Sequence, residues 1–170
     1  MIRFINNFRL KKKLKLKFPT LEIRGLCSID FIDNLKMGEF CFINSGANFN
    51  CQGGISIGKN VIFGQEVMIQ SSSHDYKGNY IPYGDKMILQ EVIIEDHVWI
   101  GSRVTILPGV TIGEGSIIGA GSIVTKNTDK YSINVGSPAK VVNYRDKSKF
   151  KKLKKNKLFY QEYIFNKRNR

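Results

Sequence analysis

The sequence predicts an all-β fold, a parallel β-solenoid with a protruding loop and basic terminal segments. Three observations lead to this prediction. Apolar residues recur at every sixth position through most of the 170-residue chain, glycine often follows the repeated residue, and the basic charge is concentrated at the two ends. Six residues span three strand repeats, so the repeated side chains all point to one side of a strand.

Two series of apolar residues define the repeat. The first series is Phe31, Met37, Ile43, Phe49, Ile55, Val61 and Val67, and the second is Ile94, Ile100, Ile106, Ile112, Ile118 and Val124. A helix would need apolar residues at spacings of three and four instead. β-Branched Ile and Val favour strands. Three hexads complete a triangular coil of about 18 residues, and stacking buries each coil against the next.

A loop is predicted between the two series. A companion series ends at Ile69, and the 25 residues from Ile69 to Ile94 are one more than four hexads. Residues 70–93 therefore leave the coil, and their polar composition with Gly and Pro predicts a protruding loop over 75–90. Long loops on a regular scaffold usually carry function, and this loop directly follows His74.

The net charge of +13 is distributed unevenly along the chain. Residues 1–24 hold eight Lys and Arg and one acid, residues 140–170 hold twelve and two, and residues 25–139 hold seven and eleven. An acidic body between basic ends does not favour a nucleic-acid-binding protein. The chain has no membrane-span-length apolar run and no signal-peptide core. Three cysteines without paired spacings indicate reduced thiols in a cytoplasmic protein.

Several motifs make the body similar to a known family. They are H-D at 74–75, V-W-I-G at 98–101, I-L-P-G-V at 106–110 and G-S-P-A-K at 136–140, preceded by A-N-F-N-C at 47–51. Over about residues 40–142 the chain resembles hexapeptide-repeat acyltransferases, in the branch of maltose, galactoside and nodulation-factor O-acetyltransferases and of streptogramin and chloramphenicol acetyltransferases. The resemblance implies a left-handed parallel β-helix and homotrimers with active sites between subunits. It also implies acetyl transfer from acetyl-CoA directly to a hydroxyl.

His74 is the candidate catalytic residue. Its place at the end of a coil, just before the loop, matches the general base of the family, and a neutral imidazole can accept a hydroxyl proton. The alternative is a solvated loop histidine. His97, in E-D-H-V-W, is interpreted as a polar corner residue. Open catalytic zinc sites generally use about three protein ligands, so two histidines predict that no metal takes part.

Six residues match family positions that contact the acyl donor: Trp99, Ser102, Ala120, Thr125, Lys126 and Lys140. The match implies that the backbone N–H of Ser102 stabilises the oxyanion and that Ala120 contacts pantetheine. It also places Thr125 and Lys126 at the nucleotide end, with Lys126 and Lys140 near phosphate. As alternatives, Trp99 is a bulky coil residue, and Ser102 and Ala120 are small residues that suit tight corners.

The acceptor side is predicted from three residues. Asn48 matches an acceptor-contacting residue of the galactoside enzymes, and Tyr83 and Met87 lie in the loop within reach of an acceptor. Between Asn50 and Gly58 the chain is shorter than those enzymes and lacks their acidic residue. The resemblance therefore implies the class of reaction but neither galactoside nor maltose as its acceptor.

The chain is predicted to divide into a basic N-terminal segment (1–24), a β-helix domain (25–142) and a basic C-terminal tail (143–170). In the tail, Phe150, Leu153, Tyr160 and Ile164 roughly follow helical spacing. Basic amphipathic segments suit an anionic membrane, which would place the protein at the inner membrane surface. The alternative is a pair of solvated helices that pack on the outside of the coil.

These features predict an acetyl-CoA-dependent O-acetyltransferase that modifies a sugar hydroxyl, in a surface polysaccharide or its precursor. Two enzymatic alternatives are N-acetylation of an amino-sugar and acetylation of an antibiotic. A non-enzymatic alternative is a catalytically silent β-helix that scaffolds a polysaccharide complex through its basic ends.

Overall fold

The computed structural model describes residues 2–169, with side chains from residue 8 onward, as a solenoid of short strands with helices at both ends. Residues 1 and 170 and the side chains of residues 2–7, all within the predicted basic ends, lie outside the described residues. Helix α1 (Ile2–Lys17) precedes the coils, and α2 (Lys147–Lys155) and α3 (Tyr160–Arg168) follow them. No described helix is both long and apolar enough to cross a bilayer.

The strands form three faces. The first face holds β1 (Glu22–Ile23), β4 (Phe42–Ile43), β7 (Ile62–Phe63), β12 (Trp99–Ile100), β15 (Ile117–Ile118), β17 (Ser132–Val135) and β18 (Lys140–Tyr144). The second face holds β2 (Ser28–Asp30), β5 (Asn48–Asn50), β8 (Met68–Gln70), β13 (Thr105–Ile106) and β16 (Ile123–Val124). The third face holds β3 (Leu35–Met37), β6 (Ile55–Ile57), β11 (Val92–Ile94) and β14 (Thr111–Ile112).

Parallel pairing builds the faces, and antiparallel pairing occurs at two places in the described chain. The predicted loop is a hairpin in which β9 (Ser72–His74) pairs with β10 (Met87–Leu89). At the C-terminal end, β18 turns back on β17. The hairpin therefore emerges from the corner between the second and third faces.

Coil length changes along the solenoid. Glu22 aligns with Phe42 and Phe42 aligns with Ile62, a coil of 20 residues, whereas Trp99 aligns with Ile117 after 18 residues. The longer coils are widened at the corner between the second and third faces, where residues 32–34 form a 3₁₀ turn. The predicted 18-residue coil is therefore wrong for the first coils, because a strict hexad count cannot register extra residues at a corner.

Phe31 departs from the predicted interior series. Its side chain is 55% exposed, and its left-handed backbone (φ 54°) leads into the 3₁₀ turn. The wider corner shifts the phase of the repeat, so the buried residues around Phe31 are Ile29, Ile32 and Leu35. The interior placement of Phe31 is therefore wrong.

Aliphatic side chains fill most of the interior. The later series is buried throughout: Ile94, Ile100, Ile106, Ile112, Ile118 and Val124. Near the C-terminal end the interior becomes polar, and the hydroxyls of Ser116 and Ser132 donate to the carbonyl of Asp129 at 2.8 and 2.6 Å. At the other end α1 covers the first coil and buries Leu14. The apolar interior is thus covered by α1 at its N-terminal end and gives way to buried polar side chains at its C-terminal end.

The C-terminal tail lies along the corner between the third and first faces. Three aromatic contacts hold it, at ring-centroid distances of 4.9, 4.7 and 5.7 Å: Phe150 on Tyr131, Phe159 on His97 and Phe165 on Phe40. The guanidinium of Arg168 also pairs with Glu22 at 2.5 Å. The helical spacing breaks between residues 156 and 159, so the tail forms two helices. The tail therefore packs on the outside of the coil, which is one of the two alternatives predicted for it.

Candidate active site

His74 ends the first strand of the hairpin. Its Cα is paired with that of Met87 across the antiparallel ladder, and its exposed imidazole stacks on the ring of Tyr83 with centroids 3.8 Å apart. The planes of the two rings differ by 20°. The structure thus brings His74 together with both loop residues predicted to reach an acceptor.

Hydrogen bonds tie the root of the hairpin to the coil below. The buried hydroxyl of Ser71 donates to the carbonyl of Asn50 at 2.7 Å and accepts from the N–H of Gly53 at 2.9 Å. The side-chain amide of Asn50 donates to the hydroxyl of Ser72 at 3.2 Å, and the N–H of Gln90 donates to the carbonyl of Ser71 at 2.9 Å. The position of His74 is therefore set by the corner beneath it.

Asp75 organises the rest of the loop. Its carbonyl accepts from the N–H groups of Gly78 and Gly84 at 3.2 and 2.8 Å, and its carboxylate accepts from the N–H of Lys77 at 2.9 Å. A Cβ atom on Gly78 would lie 2.5 Å from the Cα of Gly84. This approach needs glycine and folds the loop back so that Tyr83 reaches His74.

Ser102 and Ala120 lie at a different corner, between the first and second faces. They occupy neighbouring coils, where the N–H of Gly121 donates to the carbonyl of Ser102 at 2.8 Å. The hydroxyl of Ser102 accepts from the N–H of Gln65 at 3.1 Å. The side-chain oxygen of Ser102 is thus engaged by the coil below.

The other predicted donor residues are spread over the later coils. Trp99 is half exposed on the first face, and Thr125 and Lys126 are exposed just beyond β16. Lys140 begins β18, and the N–H of the preceding Ala139 donates to the carbonyl of Ile123 at 2.8 Å. Lys140 therefore lies at the corner between the first and second faces, near β16.

Asn48 lies on the second face, apart from the loop. Its exposed side chain belongs to a strand whose Cα atoms align with Ser28 below and Met68 above. The second face separates the corner that carries His74 from the corner that carries Ser102. One chain therefore holds the predicted base and the predicted oxyanion donor on opposite edges of a face and does not bring them together.

His97 is a corner residue, as predicted, with a left-handed backbone (φ 60°). Its ring is half-buried and stacks on Phe159, and burial lowers the pKa of the imidazole. Its Nε2 atom is buried without a hydrogen-bond partner, as is the Oδ1 atom of Asn60 in the coil below. Sequence reasoning missed Asn60, because asparagine at a tight corner is explained by its tolerance of left-handed backbone.

The cysteines are internal thiols. Cys27, Cys41 and Cys51 are buried, and burial raises the pKa of Cys41 and of Cys51 to about 12. Such thiols stay protonated and unreactive at neutral pH. Among the described side chains, no group of three or more His, Cys, Asp or Glu is arranged to hold a metal ion.

Known proteins share this repeat. Residues 91–126 match the family described as bacterial transferase hexapeptide (six repeats). A Schizosaccharomyces pombe protein named as an acetyltransferase is 40% identical over 125 residues, which cover 71% of this chain and 58% of that protein. The chain spans between 53% and 62% of the length of the first curated relatives that it matches.

Two solved structures are similar over most of the chain. A maltose O-acetyltransferase from Clostridium difficile is 30% identical, with a TM-score of 0.72 and coverage of 81% of this chain and 75% of that one. A hexapeptide-repeat acetyltransferase from Vibrio cholerae, complexed with acetyl-coenzyme A, is 25% identical, with a TM-score of 0.69 and coverage of 80% and 76%. They confirm the predicted left-handed parallel β-helix. Repeat, fold and identity together place the chain in the hexapeptide-repeat acyltransferase family.

Proposed function

We propose that this protein is an acetyl-CoA-dependent O-acetyltransferase that modifies a sugar hydroxyl in a surface polysaccharide or its precursor. One observation supports it above all. The imidazole of His74 is exposed at the end of the first hairpin strand, and hydrogen bonds hold the base of this hairpin to the coil. The ring of Tyr83 stacks on one face of the imidazole. An exposed, oriented base is what deprotonation of a hydroxyl requires.

The proposed step uses His74 and Ser102. The imidazole of His74 takes the proton of the acceptor hydroxyl while the hydroxyl oxygen forms a bond to the thioester carbonyl carbon. The backbone N–H of Ser102 donates to the carbonyl oxygen as negative charge develops there. When the carbon–sulfur bond breaks, the imidazolium returns the proton to the departing thiolate, so the products are an acetyl ester and free coenzyme A.

The remaining candidates are proposed to position the two substrates. Trp99 and Ala120 would border the acyl-carrying arm of acetyl-CoA, and Thr125, Lys126 and Lys140 would meet its nucleotide end, where lysine pairs with phosphate. Asn48, Tyr83 and Met87 would contact the acceptor. The side chains of Thr125, Lys126 and Lys140 are all exposed, so they can contact a mobile, charged substrate.

A second acceptor class is supported by the surface of the loop. The side chains of Tyr76, Tyr80 and Ile81 are 74%, 66% and 99% exposed. Exposed apolar side chains on the loop next to the proposed base would favour an aromatic or macrocyclic antibiotic over a polar sugar. Incubating the protein with acetyl-CoA and separate sugars, amino-sugars and antibiotics, while following thiol release, distinguishes O-acetylation of a sugar from both alternatives. Absence of acetyl transfer to every acceptor would favour the silent scaffold.

A homotrimer with sites between subunits is part of the proposal. The corner with His74 and the corner with Ser102 and Ala120 lie on opposite edges of the second face. A small reacting group cannot touch both edges of one chain. A neighbouring copy, with the face turned to it, would supply the missing half.

Mixed assemblies should therefore recover activity from two inactive variants. We expect His74→Ala and Ala120→Tyr to be inactive alone, the second because its ring would cover the corner. In each trimer that contains both variants, one of the three interfaces, about one third, would combine an unmodified His74 with an unmodified Ala120. Acetyl transfer by doubly tagged, co-purified trimers measures this. Activity no higher than that of either parent would contradict sites between subunits.

We also propose that segment 25–142 carries out the chemistry, whereas the basic segments 1–24 and 143–170 determine where in the cell the protein acts. Helix α2 exposes six lysines: Lys147, Lys149, Lys151, Lys152, Lys154 and Lys155. Each lysine near an anionic leaflet contributes about 1 kcal/mol of attraction. The basic ends would thus hold the catalytic body at the inner membrane surface, near a lipid-linked acceptor.

Flotation with lipid vesicles tests the location. We expect the full chain to float with phosphatidylglycerol vesicles at low salt and to be released at high salt, because screening weakens exposed charges. Phosphatidylcholine vesicles are the control. A chain with glutamine at Lys147, Lys149, Lys151 and Lys155 should float less. Failure of the unmodified chain to float at low salt would remove the membrane from the proposal.

A further inference from the structure

A cavity of about 330 Å³ lies between the first face of the solenoid and the C-terminal helices. Ile62, Trp99, Leu158 and Phe159 supply apolar walls. Polar residues also line it, among them Asn60, His97, Arg145 and Gln161, and Lys154, whose ammonium pairs with Glu114. A mostly apolar cavity with a few convergent polar groups is the usual form of a small-molecule site.

Two of the polar groups are buried without partners. Asn60 is 9% exposed, and its Oδ1 atom lacks a hydrogen bond. The Nε2 atom of His97 is also buried without a hydrogen-bond partner. Asn60 and His97 occupy equivalent positions in successive coils, because Ile62 aligns with Trp99. A single hydroxyl could satisfy both atoms by donating to Oδ1 and accepting from Nε2–H.

Arg145 adds an unbalanced positive charge to the same wall. Its Nε atom donates to the carbonyl of Gly115 at 2.6 Å, and the guanidinium lies 5.9 Å from the ring centroid of Phe150. Among the described side chains, the ion pairs leave Arg145 without a carboxylate. Its half-burial lowers the pKa of the guanidinium. A half-buried arginine is best balanced by an anion that it can hold bidentately.

The three groups form a row along the corner. Gly115, which holds Arg145, is in the coil next to that of His97, since Trp99 aligns with Ile117. Successive coils are about 4.8 Å apart. A hydroxyl between Asn60 and His97 would therefore lie about 7 Å, one and a half coils, from an anion at Arg145.

We propose that this cavity binds a small amphipathic carboxylate that carries a hydroxyl. The carboxylate pairs with Arg145, the hydroxyl bridges Asn60 and His97, and a flat apolar body lies against Trp99 and Phe159. A para-substituted aromatic ring has the required length and fits the volume. This site lies apart from the proposed base, because its walls include the tail and exclude the hairpin with His74, although it shares Trp99 with the proposed acetyl-CoA site.

Fluorescence of Trp99, the only tryptophan of the chain, reports binding directly. In the absence of coenzyme A, we expect 4-hydroxyphenylacetate to change the emission saturably. Phenylacetate lacks the hydroxyl and 4-(2-hydroxyethyl)phenol lacks the carboxylate, so each should bind about ten-fold more weakly, the usual cost of one hydrogen bond or charge contact. Equal affinities for the three probes on the unmodified protein would overturn the proposal.

Two variants locate the site. Asn60→Gly removes Oδ1 while permitting the left-handed backbone (φ 55°), and Arg145→Gln removes the charge. Each should weaken 4-hydroxyphenylacetate binding about ten-fold, whereas Arg9→Gln, an exposed change on α1, should leave it unchanged. Binding that is unaffected by both cavity variants, or a probe-soaked structure with only water between Asn60 and His97, would refute the assignment.

Discussion

Alanine at His74 is expected to lower the turnover of acetyl transfer by roughly 10²–10⁴-fold, the usual contribution of a positioned general base. The acceptor hydroxyl would keep its proton during attack on the thioester. Because the imidazole is exposed and contacts Tyr83 without filling the core, the variant should fold normally. Thiol release at saturating acetyl-CoA, with the acceptor found in the panel, measures the effect.

A matched variant separates chemistry from damage to the loop. Asn79, five residues beyond His74 and exposed, lies outside the hairpin ladder, and Asn79→Ala should retain turnover within a few fold. His74→Ala with near-normal turnover would exclude His74 as the base. Equal losses in both variants would instead indicate that the loop matters only through its conformation.

Gly53→Ala is expected to reduce both stability and turnover, although residue 53 carries no chemistry. A Cβ atom there would overlap the carbonyl oxygen of Ser71 and lie 2.7 Å from the backbone nitrogen of Gln90. Those two groups form the hydrogen bond that closes the hairpin. Overpacking of this kind typically costs about 1–3 kcal/mol, and a shift of His74 by about 1 Å can lower turnover about 10²-fold.

Thermal unfolding and thiol release measure the two effects of Gly53→Ala in parallel. Gln52→Ala is the control, because it changes the neighbouring residue of the same corner and adds no atom near Ser71 or Gln90. We expect Gln52→Ala to behave like the unmodified protein. If Gly53→Ala retained both its melting temperature and its turnover, the hairpin would not depend on this close approach.

Regular features of the fold follow from the chain itself. Ile and Val at intervals of six, as at Ile100 and Ile106, bury one side of each strand, and a stacked coil is the arrangement that keeps all of them dry. The same count breaks between Ile69 and Ile94, which predicts the loop and places His74 at its start. The six-residue spacing of apolar residues is a local property of the sequence, so it is visible without knowing which coils pack against each other.

Features that depend on contacts between distant residues were decided only by the tertiary structure. Extra residues at one corner turned Phe31 outward. The strands of each coil must align with those of the next coil, and this alignment overrides the six-residue spacing of the sequence.

Likewise, the cavity joins Asn60 and His97 to Arg145 through the docking of the tail, and no sequence spacing encodes that approach. The sequence by itself thus determined the solenoid and the candidate base. The tertiary structure decided which corners carry the separate parts of the site and where polar groups remain unpaired, because both depend on packing between segments far apart in the chain.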